Sequence, residues 1–412
     1  MKKKTFAIIG AGLSGCTAAL YLKKKGHRVT IYEKGDSLGG VAKDLIFNNK
    51  IYYNGPNYLS PKSLLIKLIE KESFFEKIIQ KQNISYGSYT DIFGNLIVSR
   101  EFAHPITTKR YNQPKNLAKP KNLLERINIY PKTIVKDLST WCTKFENKVI
   151  DLHQNCSHQM GFGRIYFKNQ EKKILDLKKK NKILNEILGL PNYKNADKIF
   201  VPINGFNNFF EVIKKHFKKK GIKIKFSSKV KIFKNGKRFF FTNLKKKINA
   251  DYFIIASSPV PLINRLDIGK LDNPIVKYDV ITCDLNKHSK KIKNFYIQVF
   301  SKKSNIFRIY LFNIFKKNKI VIEVLKNKSS INLNDEIDFS QKILSKFNID
   351  YRINRKFNIS KQIRHFLFTA KDYKKFMKFE KVSGNLKIIG GGWYLLGSKL
   401  KMDHIKKEID KL

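Results

Sequence analysis

Three glycines, Gly10, Gly12 and Gly15, stand in the spacing GxGxxG directly after the apolar run Phe6 to Ile9 and ahead of a small-residue stretch that runs to about Lys25. Each answers a different steric demand. Gly10 permits a tight turn, Gly12 lets the backbone approach a pyrophosphate seated on a helix N-terminus, and Gly15 lets that helix lie close on a sheet. Leu13 and Ser14, between the last two glycines, belong to the same binding set. Ala18, Ala19 and Leu22 give the helix a small, apolar inner face, Gly26 ends it, and "RVTIYE" follows as a second strand closing on Glu33, with Lys34 next. A carboxylate at that place accepts hydrogen bonds from free ribose hydroxyls and repels a 2′-phosphate, which favours FAD or NAD over NADP. Strand, turn, helix, strand and acid in this order predict a dinucleotide site.

The elements that must position this turn are spread along the chain. "EKGDSLGG" places Gly39 and Gly40 shortly after Glu33, and here the sequence resembles the FAD-binding superfamily of flavin amine oxidases, protoporphyrinogen oxidase, phytoene desaturases and UDP-galactopyranose mutase. The resemblance implies FAD as cofactor, with the glycine pair passing close to its phosphates; Val41 stands where that group usually has Arg. "IFVPINGFNNFFEVIKKHFKKKGIKIKFSSKVKIF" resembles the group's turn, helix and strand, which makes Gly205 the turn and Val230 the adenine contact. "INADYFIIASSPVPLINRL" resembles the returning strand, opened by Asp251 and ended near the cofactor by Ser257, Ser258 and Pro259. "GNLKIIGGGWYLLGSKLKMDHIKKEI" resembles the closing element, with Gly390, Gly391 and Gly392 on the flavin phosphates and Met402 or Asp403 opening a helix aimed at the flavin pyrimidine. A helix dipole so aimed stabilises the reduced flavin's negative charge. The resemblance also makes Gly55, Pro56 and Asn57 flavin-side residues, with Asn57 where the mutases usually show His.

The fold class expected is α/β: a doubly wound, Rossmann-like FAD-binding domain with an inserted mixed sheet and helical substrate domain. The first is assembled from 1–60, 196–265 and 380–412, and the second from 61–195 and 266–379. Within the first insert, "SPKSLLIKLIEKESFFEKII" reads as a helix capped by Ser60, and "EKKILDLKKKNKILNEILGL" as another. The proline- and lysine-rich "NQPKNLAKPKNLLERINIYPK" between them reads as a surface loop. The second insert reads as strands: "VKYDVITCDL", "NFYIQVF", "NIFRIYLF" and "KIVIEVL".

Substrate contacts are sought among aromatics and the scarce arginines: Tyr58, Trp393, Tyr394, and Arg308 on a predicted strand, with Arg164 and Arg364 as further candidates. An arginine forks onto a carboxylate or phosphate as lysine cannot. No catalytic acid or base stands out, and a flavin performs the difficult step itself. His153, Cys156 and His158 lack a fourth ligand, so no metal is expected.

The 84 basic and 32 acidic side chains give a net charge of +52, a field that attracts anionic surfaces weakly and without specificity. Lys, Asn and Ile dominate together, as AT-rich codons produce, and no nucleic-acid-binding signature accompanies them. Four cysteines, Cys16, Cys142, Cys156 and Cys283, stand far apart, which suits a reducing compartment. No apolar run is long enough to span a bilayer, so a cytoplasmic protein acting on a small molecule is expected. The activity expected is FAD-dependent hydride removal from a C–N or C–C bond in the manner of the amine oxidase and protoporphyrinogen oxidase group; the alternative is a non-redox flavin isomerase acting on a nucleotide sugar.

Overall fold

A computed structural model describes residues 2–47, 50–52, 58–145, 151–163, 165–189, 196–236, 238–258, 260, 264, 275–286, 293–314, 317–326, 331–382, 384–389 and 398–412. The chain divides into two compact units, one of Met1–Gln82, Lys198–Asp272 and Lys374–Leu412, the other of Asn83–Asp197 and Asn273–Tyr373. Among the described residues, no helix is long and apolar enough to cross a membrane.

The first unit is built on a parallel sheet in the order Lys223–Lys225, Arg28–Tyr32, Thr5–Ile9, Tyr252–Ile255, Leu386–Ile388. The central strands are continuous apolar runs, as a parallel sheet covered by helices requires, and Ile8, Ile31, Ile254 and Leu386 are fully buried. Helix Leu13–Lys24 packs through Ala18, Ala19 and Leu22, also fully buried. Asp251 locks the start of the central strands together: its Oδ2 accepts from both the backbone N–H and the hydroxyl of Thr5, each at 2.7 Å. The α/β class with a parallel sheet is therefore the one expected.

Asp410, at the end of the C-terminal helix Ser398–Asp410, ties that helix to the first. Asp410 accepts from the Tyr21 hydroxyl at 2.7 Å, meets Lys25 Nζ at 2.5 Å and accepts from Lys406 Nζ at 2.6 Å. Hydrogen bonds from Lys25 and Lys406, with Tyr21 adding to them, hold its carboxyl well below the usual carboxylate range.

The second unit contains a mixed sheet in the order Arg352–Phe366, Ile275–Asn286, Lys317–Lys326, Ile306–Ile314, Asn294–Phe300, Ile79–Thr90, Ile97–Ser99. The helix Leu333–Lys346 covers one face through Ile337, Ile343 and Leu344. Four of these strands are those read from the sequence. The first insert, read as mainly helical, also supplies Ile79–Thr90, which pairs in parallel with Asn294–Phe300. Its Gln, Asn and Ser content and an internal glycine mask it as a strand. That glycine is required, since a Cβ on Gly87 would lie 2.7 Å from Ser99 O and 2.8 Å from the rings of Phe295 and Phe347.

Three helix expectations are corrected. Ser60 makes a turn, accepting from Lys62 N–H, and the stretch read as one helix is two, Leu64–Ile69 with Ser63 as its cap and Phe75–Ile78. The stretch read as one helix ahead of Gly189 is two, Glu171–Lys180 and Lys182–Ile187, because the Asn181 side chain accepts from Ile183 and Leu184 N–H and so starts a new helix. The lysine-rich loop contains helix Leu123–Ile127, capped by Asn122.

Replacing Asp410 with Asn is expected to lower the melting temperature at neutral pH. Because the folded pKa is depressed, the carboxylate's contribution is present above its unfolded value of about 4 and is lost as pH falls through the folded value. Melting temperatures of parent and variant across pH should therefore stay apart from pH 7 to about 5 and converge in stronger acid. A gap that is constant across the acid range would remove the network from the account.

Candidate functional site

The turn after the first strand is held from several sides. Gly10 N–H donates to Tyr32 O at 2.8 Å, and at φ +103° a Cβ would lie 2.9 Å from Ser257 N. A Cβ on Gly15 would come within 2.0 Å of Gly10 O. Both glycines are demanded by the fold itself. Gly12 differs: its φ of −71° and ψ of −176° are ordinary extended backbone, and a Cβ would meet nothing nearer than Gly39 O at 3.8 Å. Among the described residues nothing requires glycine there, which leaves room for a group brought from outside.

The start of helix Leu13–Lys24 is correspondingly bare. No side chain caps it and no acidic residue occupies its first turn, so its leading N–H groups and positive dipole end are available to an anion. Leu13 and Ser14 lie half-buried at this start. Cys16, one turn on, is a packing residue: burial, with the Glu33 charge adding to it, raises its thiol far above the normal range.

Glu33 is 8% exposed and ties the turn to its surroundings. One carboxylate oxygen accepts from Ala11 N–H at 2.7 Å and the other from Gly35 N–H at 2.8 Å. Each oxygen keeps a second lone-pair position, so the acid can hold the turn and still accept from a ribose hydroxyl. Its own N–H donates to Lys225 O and its C=O accepts from Ser228 N–H. Those bonds bring the segment leading to Val230 against the end of the Glu33 strand, and Val230 then pairs across to Asn243. Lys34 is exposed.

The double glycine forms the other wall. Gly39 N–H donates to Ala11 O at 2.8 Å, and its φ of +113° leaves no space for a Cβ, which would meet the Phe210 ring at 2.6 Å. A Cβ on Gly40 would lie 3.3 Å from Gly12 Cα. The pair is fixed by contacts that local sequence does not reveal: Asn207 N–H donates to Asp44 Oδ2 at 3.0 Å and Asp44 N–H to Asn207 Oδ1 at 3.1 Å. Val41, in place of the usual Arg, is 67% exposed and supplies no anion contact. Beyond the turn, the buried Ser258 hydroxyl has no hydrogen-bond partner among the described residues. An open glycine, an uncapped helix start, a carboxylate with spare acceptor positions and an orphaned hydroxyl fit a dinucleotide.

The remaining candidates are distributed differently. Gly55, Pro56, Asn57, Arg164, Pro259, Gly390, Gly391, Gly392, Trp393 and Tyr394 lie outside the described residues. Met402 does not open the last helix: the helix starts at Ser398, placing Met402 and Asp403 about one turn inside, where their N–H groups face helical carbonyls instead of a ligand. The expected start at Met402 or Asp403 rests on the resemblance to the group's closing element, and the helix here opens about one turn earlier. Tyr58 is half-buried beside Leu59, whose N–H donates to Phe200 O. Arg308 lies on the second unit's sheet. Among the described residues, no cluster of His, Cys, Asp or Glu is placed to hold a metal ion. His153 instead stacks on Tyr373 at 4.0 Å, and burial lowers its pKa to about 4.

Comparison with known proteins agrees with this geometry. The NAD(P)-binding Rossmann-like domain family matches residues 8–68. A 4-hydroxybenzoate brominase (decarboxylating) of Pseudoalteromonas luteoviolacea is 38% identical over 91 residues, 22% of this chain and 17% of that protein. A 1-hydroxycarotenoid 3,4-desaturase of a Flavobacterium species is 37% identical over 65 residues, 16% of this chain and 13% of its own length. The chain thus matches a fifth or less of the length of these relatives. Among solved structures, a protein assigned as a protoporphyrinogen oxidase from an Exiguobacterium species aligns at a TM-score of 0.63 with 13% identity, covering 100% of this chain and 99% of the other. Reduced UDP-galactopyranose mutase gives the same score and identity over 100% and 96%. The chain has the Rossmann-like fold of these neighbours.

The glycines should separate experimentally. Gly15→Ala forces an overlap costing about 3 kcal/mol or more and should lower the melting temperature of the cofactor-free protein. Gly12→Val should leave that temperature near the parent's but remove the upward shift that added FAD produces. A Gly12→Val protein still stabilised by FAD would show that the pyrophosphate lies elsewhere. Glu33→Ala should weaken FAD binding by about 1–3 kcal/mol, read from titration of the apoprotein; unchanged affinity would detach Glu33 from the ribose.

Proposed function

We propose that this chain, with its FAD-binding fold, is an oxidoreductase of the amine oxidase and protoporphyrinogen oxidase-like kind, taking a hydride from a C–N or C–C bond of a small organic substrate. The observation that carries the reading is Gly12: an unconstrained glycine kept open at the bare start of a helix, with Glu33 beside it. When bound, FAD supplies the two-electron acceptor for the hydride. The chain's own residues do the holding. N–H groups at the head of the first helix offset the diphosphate charge, Glu33 accepts from the ribose, Ser258 offers its hydroxyl, and the Gly39–Gly40 wall keeps side chains away from the phosphates. The last helix has no acid in its first turn, so its positive end suits a partner that gains negative charge on reduction. Asp410 and the first helix fix its opposite end.

A second reading has its own support, since the reduced mutase resembles this chain over its whole length as closely as the oxidase does. In that reading the chain is a non-redox isomerase acting on a nucleotide sugar. Asn57 in place of the usual His, and the lack of a paired arginine motif in the sequence, weigh against it.

The fate of the electrons separates the two. Under anaerobic conditions an oxidoreductase bleaches once with its substrate and regains its colour when an acceptor is added, with net product formed. Small amines, polyprenoids, porphyrinogens and UDP-galactose tested in both flavin states should give activity that starts from the oxidised enzyme. Turnover confined to chemically reduced enzyme, without consumption of acceptor, would replace the oxidoreductase reading with the isomerase.

A further inference from the structure

The two faces of the second unit's sheet differ in chemistry. One is aliphatic and lies under helix Leu333–Lys346. On the other, strand register sets two neighbouring rows side by side. Tyr86, Tyr296 and Tyr310 stand opposite one another across three strands, and Ser88, Gln298, Arg308 and Glu323 do so across four. The rings form a continuous row, half-buried at Tyr86 and Tyr296 and buried at Tyr310 and Phe312: Tyr86 to Tyr296 is 5.9 Å between centroids, Tyr296 to Tyr310 5.0 Å and Tyr310 to Phe312 5.8 Å. The surface is fixed, because the Tyr296 hydroxyl donates to Gln298 Oε1 and Gln298 Nε2 donates to Phe307 O at 2.7 Å.

Arg308 is poorly satisfied beside this surface. Its buried Nε–H has no partner among the described residues, and Nη1 is 3.5 Å from Glu323 Oε2, well beyond the roughly 2.7–2.9 Å of a charge-assisted hydrogen bond. The comparison with Arg126 in the same unit is instructive. That side chain, also buried, donates from Nη1 to Gln154 Oε1 at 3.0 Å and from Nη2 to Gly163 O at 3.1 Å. Both side chains leave a buried Nε–H without a partner among the described residues, but both Nη atoms of Arg126 have acceptors, whereas Arg308 keeps a quarter of its side chain accessible beside the long contact to Glu323. Unused buried donors are costly, so their retention calls for an acceptor.

The geometry points to a binding site for an aromatic carboxylate on this face, with the carboxylate on the Arg308 fork and the ring against Tyr296 and Tyr310. A planar monoanion matches the fork. Glu323, 3% exposed and close to Nη1, repels a doubly charged phosphate more strongly. Calling the bound molecule the substrate rests on the oxidoreductase reading; the binding site itself does not.

Benzoate and phenylacetate titrated calorimetrically into the full-length protein test the assignment, with benzamide as the uncharged counterpart. Both acids should bind saturably and benzamide at least about tenfold more weakly. Arg308→Gln should lose about tenfold or more in affinity for the acids, and Arg308→Lys, which keeps the charge without the fork, should fall between. Glu323→Gln should bind the acids more tightly, because it removes the repelling charge. Absence of saturable binding to the parent, equal binding of benzamide, or undiminished binding to a folded Arg308→Gln protein would overturn the site. Bound flavin is read separately by visible absorbance in every sample. A yellow protein that ignores benzoate refutes this site alone, and a colourless one that binds it refutes the flavin reading alone.

Discussion

The hydrogen bonds of Glu33 are the constraint on which the nucleotide-binding unit depends. Its carboxylate accepts from Ala11 and Gly35, and its backbone joins Lys225 and Ser228. Three stretches of chain, the turn at Ala11, the segment from Glu33 to Gly35 and the segment 225–228, thus meet at one residue that is almost fully buried. A buried carboxylate is tolerable only when hydrogen-bonded, and here the donors are backbone N–H groups whose positions the sheet already fixes. The same atoms that stabilise the turn keep spare acceptor positions for the ribose of the proposed cofactor.

Around that residue the glycines divide the work. Gly10, Gly15 and Gly39 are glycine because the protein's own atoms crowd them, whereas Gly12 is crowded by none of the described residues. Fold-required and ligand-required glycines look alike in sequence and separate only when the space around each is known. The distinction lets fold and cofactor binding be disrupted independently. The C-terminal helix is anchored near its end, where Asp410 meets Tyr21 of the first helix, Lys25 just beyond it and Lys406.

How much of this could be read from the sequence depends on the range of the interactions. The first strand, turn, helix and second strand are legible because their signals lie within thirty or so adjacent residues and follow strong periodic and steric rules. The four apolar strands of the second unit are legible for the same reason. Ile79–Thr90 is not, because its pairing partner is more than two hundred positions away and its Gln, Asn and Ser residues carry no alternating pattern. Arg352–Phe366 was hidden by its lysines and arginines, in a chain whose whole composition is biased that way. The helix caps at Ser63 and Asn181 were missed through choice of register, since Ser60 and a continuous lysine-rich pattern offered competing signals. Nothing local announces that Asp44 and Asn207 clasp each other or that Phe210 backs Gly39. Arg308 was visible as a scarce arginine on a strand, but the aromatic rows beside it follow from register, which no single segment encodes.

The most direct test of the central claim is the identity and stoichiometry of what the purified protein holds at the Glu33 turn. The account predicts a yellow protein that releases, on denaturation without covalent cleavage, about one FAD per chain and no FMN or nicotinamide nucleotide. A colourless protein that takes up no FAD when incubated with it, or one that releases a nicotinamide dinucleotide instead, would contradict the account at its root.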